Sequence, residues 1–355
     1  MPEGSSSDWD NLLEEFRGFG GRAENVVQRQ GPFGLGLFPI DPSQPLLLEV
    51  PKRLLVPADN VDLRDGQAVI VDDSSFPVGY ADWFRRYQAN YSWGADGETS
   101  VSRFATGLRD LPETVVKLLQ DFRLYSRAEP DPTTDPRRQL LTKFLQSRCL
   151  GREGRLLVMP LVELANHSAT AGNWQTGADG AVGVQGRFDG EVLVKYSNAD
   201  PLRRLMRYGF NCFEPMGFSL YLRLQHRGQP VEVQGGGGRT WFNPPSISRR
   251  EGRLLIQQPL LGHCNRPRLP KTLFLEACRG LKGVQGAELF EQIHQANTLK
   301  LVTLLRALAE IQSETAEQLR RGCLDQLIAL SHHIGHQPAL LTADEGKSAL
   351  EPSLP

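Results

Sequence analysis

Short apolar segments, separated by glycine and proline, recur along the first 60 residues and again between residues 136 and 225. They alternate apolar and polar residues or stay apolar over only a few positions, which is typical of β-strands. Five segments follow this pattern most clearly: residues 26–28, 46–50, 155–165, 191–196 and 218–224. The pattern predicts a β core of short strands and not a series of βαβ units.

In two other regions the spacing of the apolar residues differs from that of a β-strand. Between residues 61 and 135 aromatic residues crowd together, and a helical pattern follows them. From Lys271 onward leucine, isoleucine and phenylalanine recur at helical spacing, which predicts long amphipathic helices. Strands and helices together predict an α+β fold. The crowded aromatic residues are interpreted as core, with the alternative that some line a substrate channel: Trp83, Phe84, Tyr87, Tyr91 and Trp93.

The composition argues against two classes of binding partner, nucleic acids and membranes. The chain has 355 residues, a formal net charge of −1 and 40% hydrophobic residues. It can therefore bury a large core, and it has no bulk electrostatic attraction to nucleic acid or to anionic membranes. No apolar run approaches the ~20 residues that a membrane-spanning helix needs. We expect neither a nucleic-acid partner nor membrane insertion.

The five cysteines are scattered, and none belongs to a Cys-x-x-Cys pair. This spacing predicts neither a zinc site nor a disulfide framework, and we expect no metal. His332, His333 and His336 have a spacing that could suit a metal, but they lack acidic or cysteine companions and are interpreted as exposed. Free cysteines, with a polar and acidic start unlike a signal peptide, predict a cytoplasmic protein.

Two short polar motifs contain the candidate catalytic and binding residues. Asn166 and His167 end an apolar run, so a buried segment would deliver two polar side chains to a loop. Tyr208 closes a short helix that Asp200 can cap and Gly209 can end. A tyrosine at a helix end is most often a core residue with a satisfied hydroxyl. The alternative is that a phenol beside an Asn-His loop forms a chemical site.

The order of these motifs resembles that of the SET-domain protein methyltransferases, in the subgroup typified by the Rubisco large-subunit methyltransferase. The chain departs from the family pattern at Glu163, where aspartate is usual, and at Phe33, where an acidic residue is common. The matching stretches are Gly34-Leu35-Gly36, residues 46–51, Ser147-Arg148, residues 160–168, residues 194–198 and residues 205–210.

The resemblance implies a SET-type β core of short strands with a helical insert and a helical C-terminal lobe. In chain order the implied divisions are the N-terminal half of the core (1–60), the helical insert (61–135), the C-terminal half of the core with the cofactor and catalytic motifs (136–225), a connecting segment (226–269), a helical substrate-binding-like lobe (270–337) and a disordered tail (338–355).

The resemblance also implies roles for single residues. Tyr208 is the catalytic phenol, and Tyr196 is a second phenol that lines the same channel or points outward from its strand. Backbone groups of Phe33, Gly34 and Leu35 would contact the methionine end of S-adenosyl-L-methionine. An arginine at a helix end also suits the helix dipole without any ligand, which is the alternative for Arg148. Cofactor contacts are further implied for Arg148, Glu163, Asn166 and His167.

The implied function is S-adenosylmethionine-dependent methylation of a protein amine, with lysine favoured as acceptor and histidine the alternative. The protein substrate would bind through the C-terminal helical lobe of a monomeric enzyme. The competing hypothesis is a SET-like binding or scaffold protein that has kept the fold and lost turnover. Asn166, His167 and Tyr208 favour the enzyme, whereas Phe33 and Glu163 favour the scaffold.

Overall fold

The chain folds as an α+β protein, which confirms the predicted fold class. The three histidines after residue 331 and the predicted tail lie outside the described residues. The computed structural model describes residues 6–96, 100–125, 136–236 and 243–331.

The chain forms two compact units, and each unit combines separate parts of the sequence. The first unit consists of Met1–Leu111, Arg127–Ser197 and Arg204–Cys212. The second unit consists of Pro112–Ser126, Asn198–Arg203 and Phe213–Pro355.

Ten α-helices lie within the described residues. None of the helices in these ranges is long and apolar enough to cross a membrane. In chain order the helices are α1 (Ser6–Gly18), α2 (Tyr80–Tyr91), α3 (Trp93–Asp96), α4 (Ser100–Arg109), α5 (Glu113–Asp121), α6 (Pro136–Arg148), α7 (Pro201–Tyr208), α8 (Leu269–Ala277), α9 (Gly286–Leu308) and α10 (Glu314–Ser331).

The strands are short, as the sequence pattern predicts. Those of the first unit are β1 (Arg22–Glu24), β2 (Val26–Gly31), β3 (Gly34–Pro39), β4 (Leu46–Val50), β5 (Val56–Pro57), β6 (Val61–Arg64), β7 (Gln67–Ile70), β8 (Cys149–Arg152), β9 (Arg155–Val158), β10 (Asn166–His167), β11 (Gln175–Thr176), β12 (Val182–Gly186) and β13 (Leu193–Val194). Those of the second unit are β14 (Met216–Phe218), β15 (Leu222–His226), β16 (Gln229–Gln234), β17 (Ser246–Arg250), β18 (Arg253–Gln257) and β19 (Leu260–His263).

Small sheets build the first unit. Its largest sheet has the strand order β1-β4-β12-β11 and is antiparallel throughout. Strand β4 buries Leu46, Leu48 and Val50 on one face, which follows the period-two alternation of its sequence. The other sheets are β2-β3, β5-β9-β8, β6-β7 and the parallel pair β10-β13.

The aromatic residues of helix α2 belong to the core of the first unit. Trp83 is fully buried between Tyr80 and Tyr87, at ring-centroid distances of 5.3 and 5.5 Å. Its indole N–H donates a hydrogen bond to the carbonyl oxygen of Leu12 at 2.9 Å. Spacings of three and four residues put the three rings on one helix face. The segment 61–135 is not entirely helical, because it begins with the hairpin β6-β7.

The second unit combines two sheets with the C-terminal helices. One sheet has the order β15-β16-β18-β17, in which β16 and β18 run parallel, and the other pairs β14 with β19. Helix α9 buries Leu301, Leu304 and Leu308 at helical spacing, as the sequence predicts. Strands β16 to β19 lie within residues 226–269, the predicted connecting segment.

Helix α7 begins in the second unit and ends in the first. The carboxylate of Asp200 accepts a hydrogen bond from the backbone N–H of Arg203 at 2.9 Å, which confirms the predicted N-cap. Gly209 follows the helix with a φ of 75°, a left-handed conformation that favours glycine. Both ends of α7 are therefore specified locally, and Tyr208 is fixed as its last residue.

Candidate functional site

Asn166 and His167 form the two-residue strand β10 of the first unit. The strand pairs in parallel with β13, which places Asn166 opposite Leu193 and His167 opposite Val194. The sequence predicts that the buried run before Asn166 ends in a loop, and this is wrong in detail. The backbone of both residues is held in a strand, so their side chains project from a fixed support.

The side-chain amide of Asn166 lies between two hydrogen-bond acceptors. Its Nδ2 donates to the carbonyl oxygen of Leu35 at 3.1 Å and to Oε1 of Glu191 at 2.6 Å. Because a carbonyl and a carboxylate can only accept, the NH₂ group must face them. No described residue donates a hydrogen bond to Oδ1 of Asn166. The amide therefore keeps one acceptor, Oδ1, for a ligand.

The Gly-Leu-Gly motif makes room for this arrangement. A methyl group on Gly36 would collide with Oε1 of Glu191 and would lie 2.8 Å from Nδ2 of Asn166. A methyl group on Gly31, the residue that pairs with Gly34 across the hairpin β2-β3, would lie 2.8 Å from Oε2 of Glu191. The sequence suggests that the glycines admit a cofactor. The structure shows that Gly31 and Gly36 admit protein side chains.

The turn of the same hairpin and the start of β3 contain three residues predicted to contact a cofactor, Phe33, Gly34 and Leu35. Gly34 has a φ of 98°, which an L-residue rarely adopts, and a methyl group on it would meet open space. Phe33 is 61% exposed on the turn. Leu35, the second residue of β3, accepts the hydrogen bond from Asn166 through its carbonyl oxygen.

Glu191 is a site residue that the sequence analysis did not identify. It is half-buried two residues before β13, and burial raises the pKa of its carboxyl while the hydrogen bond from Asn166 lowers it. Oε2 of Glu191 is buried and has no hydrogen-bond partner in the described part of the chain. The available signal was an acidic residue at the edge of an apolar strand, which a single sequence does not connect to Asn166.

His167 is buried and tied to the backbone. Its Nδ1 lies 3.2 Å from the carbonyl oxygen of Val194 and 3.2 Å from the backbone nitrogen of Tyr196. The same ring nitrogen thus meets an acceptor and a donor, and the tautomer decides which of them it bonds. Its imidazole links β10 to the chain just after β13 and helps to hold the Asn166 backbone in place.

Tyr196 lies among aromatic rings. Its hydroxyl donates a hydrogen bond to the carbonyl oxygen of Ala165 at 2.8 Å, and burial raises its pKa. The ring therefore points inward, which excludes the alternative of an outward strand residue, and its hydroxyl is occupied. The neighbouring ring centroids lie 5.1 to 6.4 Å away and belong to His167, Tyr208, Trp174 and Phe210.

Tyr208 differs from Tyr196 in its hydroxyl. The residue is only 5% exposed, and its ring centroid is 5.2 Å from that of Tyr196. No hydrogen bond to the Tyr208 hydroxyl occurs among the described residues. The guanidinium carbons of Arg204 and Arg207 lie 5.5 and 5.4 Å from its ring centroid, within cation–π range. A tyrosine serving only as core would normally pair its hydroxyl.

Arg148 ends helix α6, where the sequence places it. Its guanidinium carbon lies 4.5 Å from the ring centroid of Phe144. Its charge acts on the buried Glu163, because it lowers the pKa that burial raises. This position fits a charge partner inside the first unit and also fits a cation suited to the helix dipole.

Glu163 belongs to a buried network and not to the group around Asn166. It is 3% exposed, and burial raises its pKa. Leu161 joins the network through its backbone N–H, which donates to the Tyr87 hydroxyl at 3.0 Å. The described contacts of Glu163 are thus with the protein itself, and its cofactor contact stays a prediction. Its Oε1 accepts hydrogen bonds at 2.8 to 3.1 Å from Tyr87, Gln88 and Ser92.

No family model and no curated protein matches the chain. Solved structures do match. One is a crystal structure of the SET domain of LSMT bound to lysine and AdoHcy, at 17% identity and a TM-score of 0.44, covering 94% of this chain and 91% of that one. Two others have the same coverage and 18% identity: Rubisco LSMT bound to AdoMet (TM-score 0.46), and Rubisco LSMT bound to sinefungin and monomethyllysine (0.45).

The chain is similar to SET-domain structures of Rubisco LSMT. At 17% to 18% identity, the roles of single residues in this chain rest on the contacts described above.

Proposed function

We propose that the protein is an S-adenosylmethionine-dependent protein N-methyltransferase with lysine as its acceptor. The observation that carries this proposal is the contrast between two neighbouring phenols. The hydroxyl of Tyr196 donates to the carbonyl oxygen of Ala165, whereas the hydroxyl of Tyr208, a residue only 5% exposed, has no hydrogen-bond partner among the described residues. A phenol oxygen that no protein group occupies can accept a hydrogen bond from a ligand, and its position beside the Asn166–His167 strand favours that role over a purely structural one.

The residues around Asn166 fit the methionine end of S-adenosylmethionine. That end carries an ammonium group, which is a hydrogen-bond donor, and Oδ1 of Asn166 is an available acceptor. When bound, S-adenosylmethionine supplies a methyl group that its sulfonium has already activated. Leu35 of strand β3 contacts Asn166 through its carbonyl oxygen, so the backbone of this hairpin lies beside the proposed ligand position.

The chain's own residues would then orient the acceptor and exclude water. The rings of Tyr196, Tyr208 and Phe210 lie with centroids 5.2 to 6.4 Å apart and offer an apolar wall. Such a wall keeps an amine desolvated and neutral, the form that can attack a methyl group. The Tyr208 oxygen can accept a hydrogen bond from that amine and aim its lone pair.

Some elements of the proposal come from the sequence resemblance alone. A protein substrate bound through the helices of residues 270–337, a monomeric enzyme and a cytoplasmic location remain predictions. Histidine remains the alternative acceptor. The competing function, a scaffold that binds proteins without turnover, gains weight from Phe33, which exposes an aromatic ring on the turn where the family commonly has an acidic residue.

Tyr208→Phe tests the role of the free hydroxyl. We expect methyl transfer to slow by about a hundredfold or more, because one preorganised polar group contributes roughly 2.7–4 kcal/mol to a transition state. The melting temperature should hardly change, since the hydroxyl shares no hydrogen bond with any described residue. The readout is transfer of radiolabelled methyl from S-adenosylmethionine into proteins of a cell extract.

Tyr196→Phe is the matched control, because it removes the neighbouring hydroxyl. It should lower stability by about 1 kcal/mol, since the Ala165 carbonyl loses its donor, and it should slow labelling less than Tyr208→Phe. Equal labelling by wild type and Tyr208→Phe would remove Tyr208 from the mechanism. No labelling by wild type in several extracts would favour the scaffold.

A further inference from the structure

Glu191 and Asn166 form a paired carboxylate and amide inside the first unit. An amide without a fixed neighbour can rotate by half a turn and exchange its donor and acceptor faces. Here the Glu191 carboxylate and the Leu35 carbonyl occupy both N–H directions of Asn166, at 2.6 and 3.1 Å. A rotated amide would set its oxygen against both acceptors, which electrostatic repulsion disfavours. The pair therefore leaves Oδ1 as the open face.

We propose that Glu191 is a positioning residue that fixes the Asn166 amide so that Oδ1 selects a ligand with an ammonium group. The inference rests on the proposed function and deepens it, because the ligand class is the amino-acid end of an S-adenosyl compound. Glu191 acts through Asn166, and it is Asn166 that touches the ligand.

The surroundings of Glu191 support this role. The absence of side chains at Gly31 and Gly36 leaves space for the carboxylate, since methyl groups there would reach Oε2 and Oε1 of Glu191. The backbone next to it is fixed as well, because the N–H of Val192 donates to the carbonyl oxygen of Leu37 at 2.8 Å. A carboxylate seated this closely can hold an amide in one orientation.

The charge of Glu191 also fits an ammonium ligand. Its Oε2 is buried and without a hydrogen-bond partner among the described residues, so its negative charge is only partly compensated. A partly compensated carboxylate attracts a nearby cation and repels an anion. The hydrogen-bond acceptor Oδ1 of Asn166 and the negative charge of Glu191 would therefore select the ligand together. Both disfavour a ligand carboxylate beside Oδ1.

Calorimetric titration with three probes separates this role from a structural one. The probes are S-adenosylhomocysteine, its analogue with hydrogen in place of the amino group, and 5′-methylthioadenosine, which lacks the amino-acid part. In wild type the amino group should improve affinity by about tenfold or more, which equals about 1.4 kcal/mol. In Glu191→Ala this advantage should shrink toward one, while the affinity for 5′-methylthioadenosine stays unchanged.

Three further variants complete the design. Glu191→Gln keeps an oxygen that can accept from Asn166 but loses the charge, so its amino-group advantage should lie between those of wild type and Glu191→Ala. Glu191→Asp moves the carboxylate away from Asn166 and should lose the affinity advantage of the amino group. It provides a second measurement if Glu191→Ala does not fold. Glu49→Ala removes a carboxylate from strand β4 of the same unit, where it lies 3.8 Å from Arg22, and should change nothing.

The possible results distinguish a positioning role of Glu191 from a structural role and from failure of the proposed function. If wild type binds S-adenosylhomocysteine and the amino-group advantage is unchanged in Glu191→Ala and Glu191→Asp, the positioning role is wrong and the proposed function stands. Equal weakening of all three probes would show that Glu191 only maintains the structure. If wild type binds none of the probes, the proposed function fails and this inference fails with it.

Discussion

Glu163 and Glu191 are two carboxylates of the first unit that are withdrawn from solvent, and their surroundings differ. Burial raises the pKa of both. Oε1 of Glu163 accepts three hydrogen bonds, from a phenol, an amide and a hydroxyl, all reaching it from the chain between residues 87 and 92. Oε2 of Glu163 is buried without a hydrogen-bond partner among the described residues, as is Oε2 of Glu191. Within the described part of the chain, Glu191 instead receives a single hydrogen bond, from the amide of Asn166, and it lies against glycines.

The difference shows that burial alone does not mark a ligand site. At Glu163 the donors all come from the protein, so the network ties helix α2 and the residue after it to the 3₁₀ segment Val162–Leu164 and stabilises the fold. At Glu191 the protein uses the carboxylate to orient another polar group, whose acceptor stays open. The two carboxylates are therefore distinguished by what their bonded oxygen holds: three donors of the fold at Glu163, and the amide that carries the proposed ligand acceptor at Glu191.

The largest expected effect comes from Glu163→Ala. Removing the acceptor would leave the hydroxyls of Tyr87 and Ser92 and the amide of Gln88 without it, and each buried unpaired group costs about 1–3 kcal/mol. We expect the free energy of unfolding to fall by about 3 kcal/mol or more. Chemical denaturation of wild type and variant measures the change.

Glu163→Gln is the control for that experiment, because it keeps an acceptor oxygen of nearly the same shape. It should lose much less stability than Glu163→Ala. An unchanged free energy of unfolding in Glu163→Ala would mean that the network does not stabilise the fold. The proposed difference between Glu163 and Glu191 would then be wrong.

A pair of glycine substitutions should sharpen the comparison on the Glu191 side. A methyl group in Gly36→Ala would displace the Glu191 carboxylate, so binding of S-adenosylhomocysteine should weaken by about tenfold. Gly34→Ala places its methyl group in open space but at a φ of 98°, so it should reduce stability by about 1–2 kcal/mol and leave affinity largely unchanged. Calorimetry and thermal unfolding distinguish the two patterns, and the reverse pattern would contradict the role of Gly36.

The smallest expected effect is on pH dependence. The pKa of Glu163 is raised in the folded protein, so the unfolded chain releases this proton at lower pH than the folded chain. Its contribution to stability is therefore complete below about pH 4.5, the ordinary value, and is lost as pH rises through the folded pKa. The charge of Arg148 reduces the shift.

Glu163→Gln cannot ionise and should lack this component. Relative to wild type, its melting temperature should therefore rise as the pH is increased from about 4.5 toward neutrality. A constant difference between the two proteins over that range would show that the Glu163 carboxyl has the same pKa in both states.

Local features of the fold were predictable from the sequence. Helix α7 follows the expected N-cap at Asp200 and the expected stop at Gly209, because caps act over a few residues. The alternation of buried and less buried residues along β4 was also predictable, because it depends only on neighbouring positions in the sequence. The hairpin β6-β7 was missed because the crowded aromatic residues after it dominated the interpretation of the segment 61–135.

The candidate site was only partly predictable. The sequence motifs pointed to Asn166, His167, Tyr196 and Tyr208, and the structure brings the last three together as neighbouring rings. The partner of Asn166 is 25 residues away, and the donors to Glu163 are 71 to 76 residues away. Such pairings depend on how distant strands and helices meet, and no local pattern in one sequence records them.

Calorimetric titration of S-adenosylmethionine into wild type and Asn166→Ala tests the central claim, that Oδ1 of Asn166 is reserved for this ligand. We predict that wild type binds, and that the variant binds about tenfold to a hundredfold more weakly, because a hydrogen bond to a charged group contributes about 1.5–3 kcal/mol. The variant should keep the wild-type melting temperature to within a few degrees. Equal affinities, or no binding by wild type, would contradict the account.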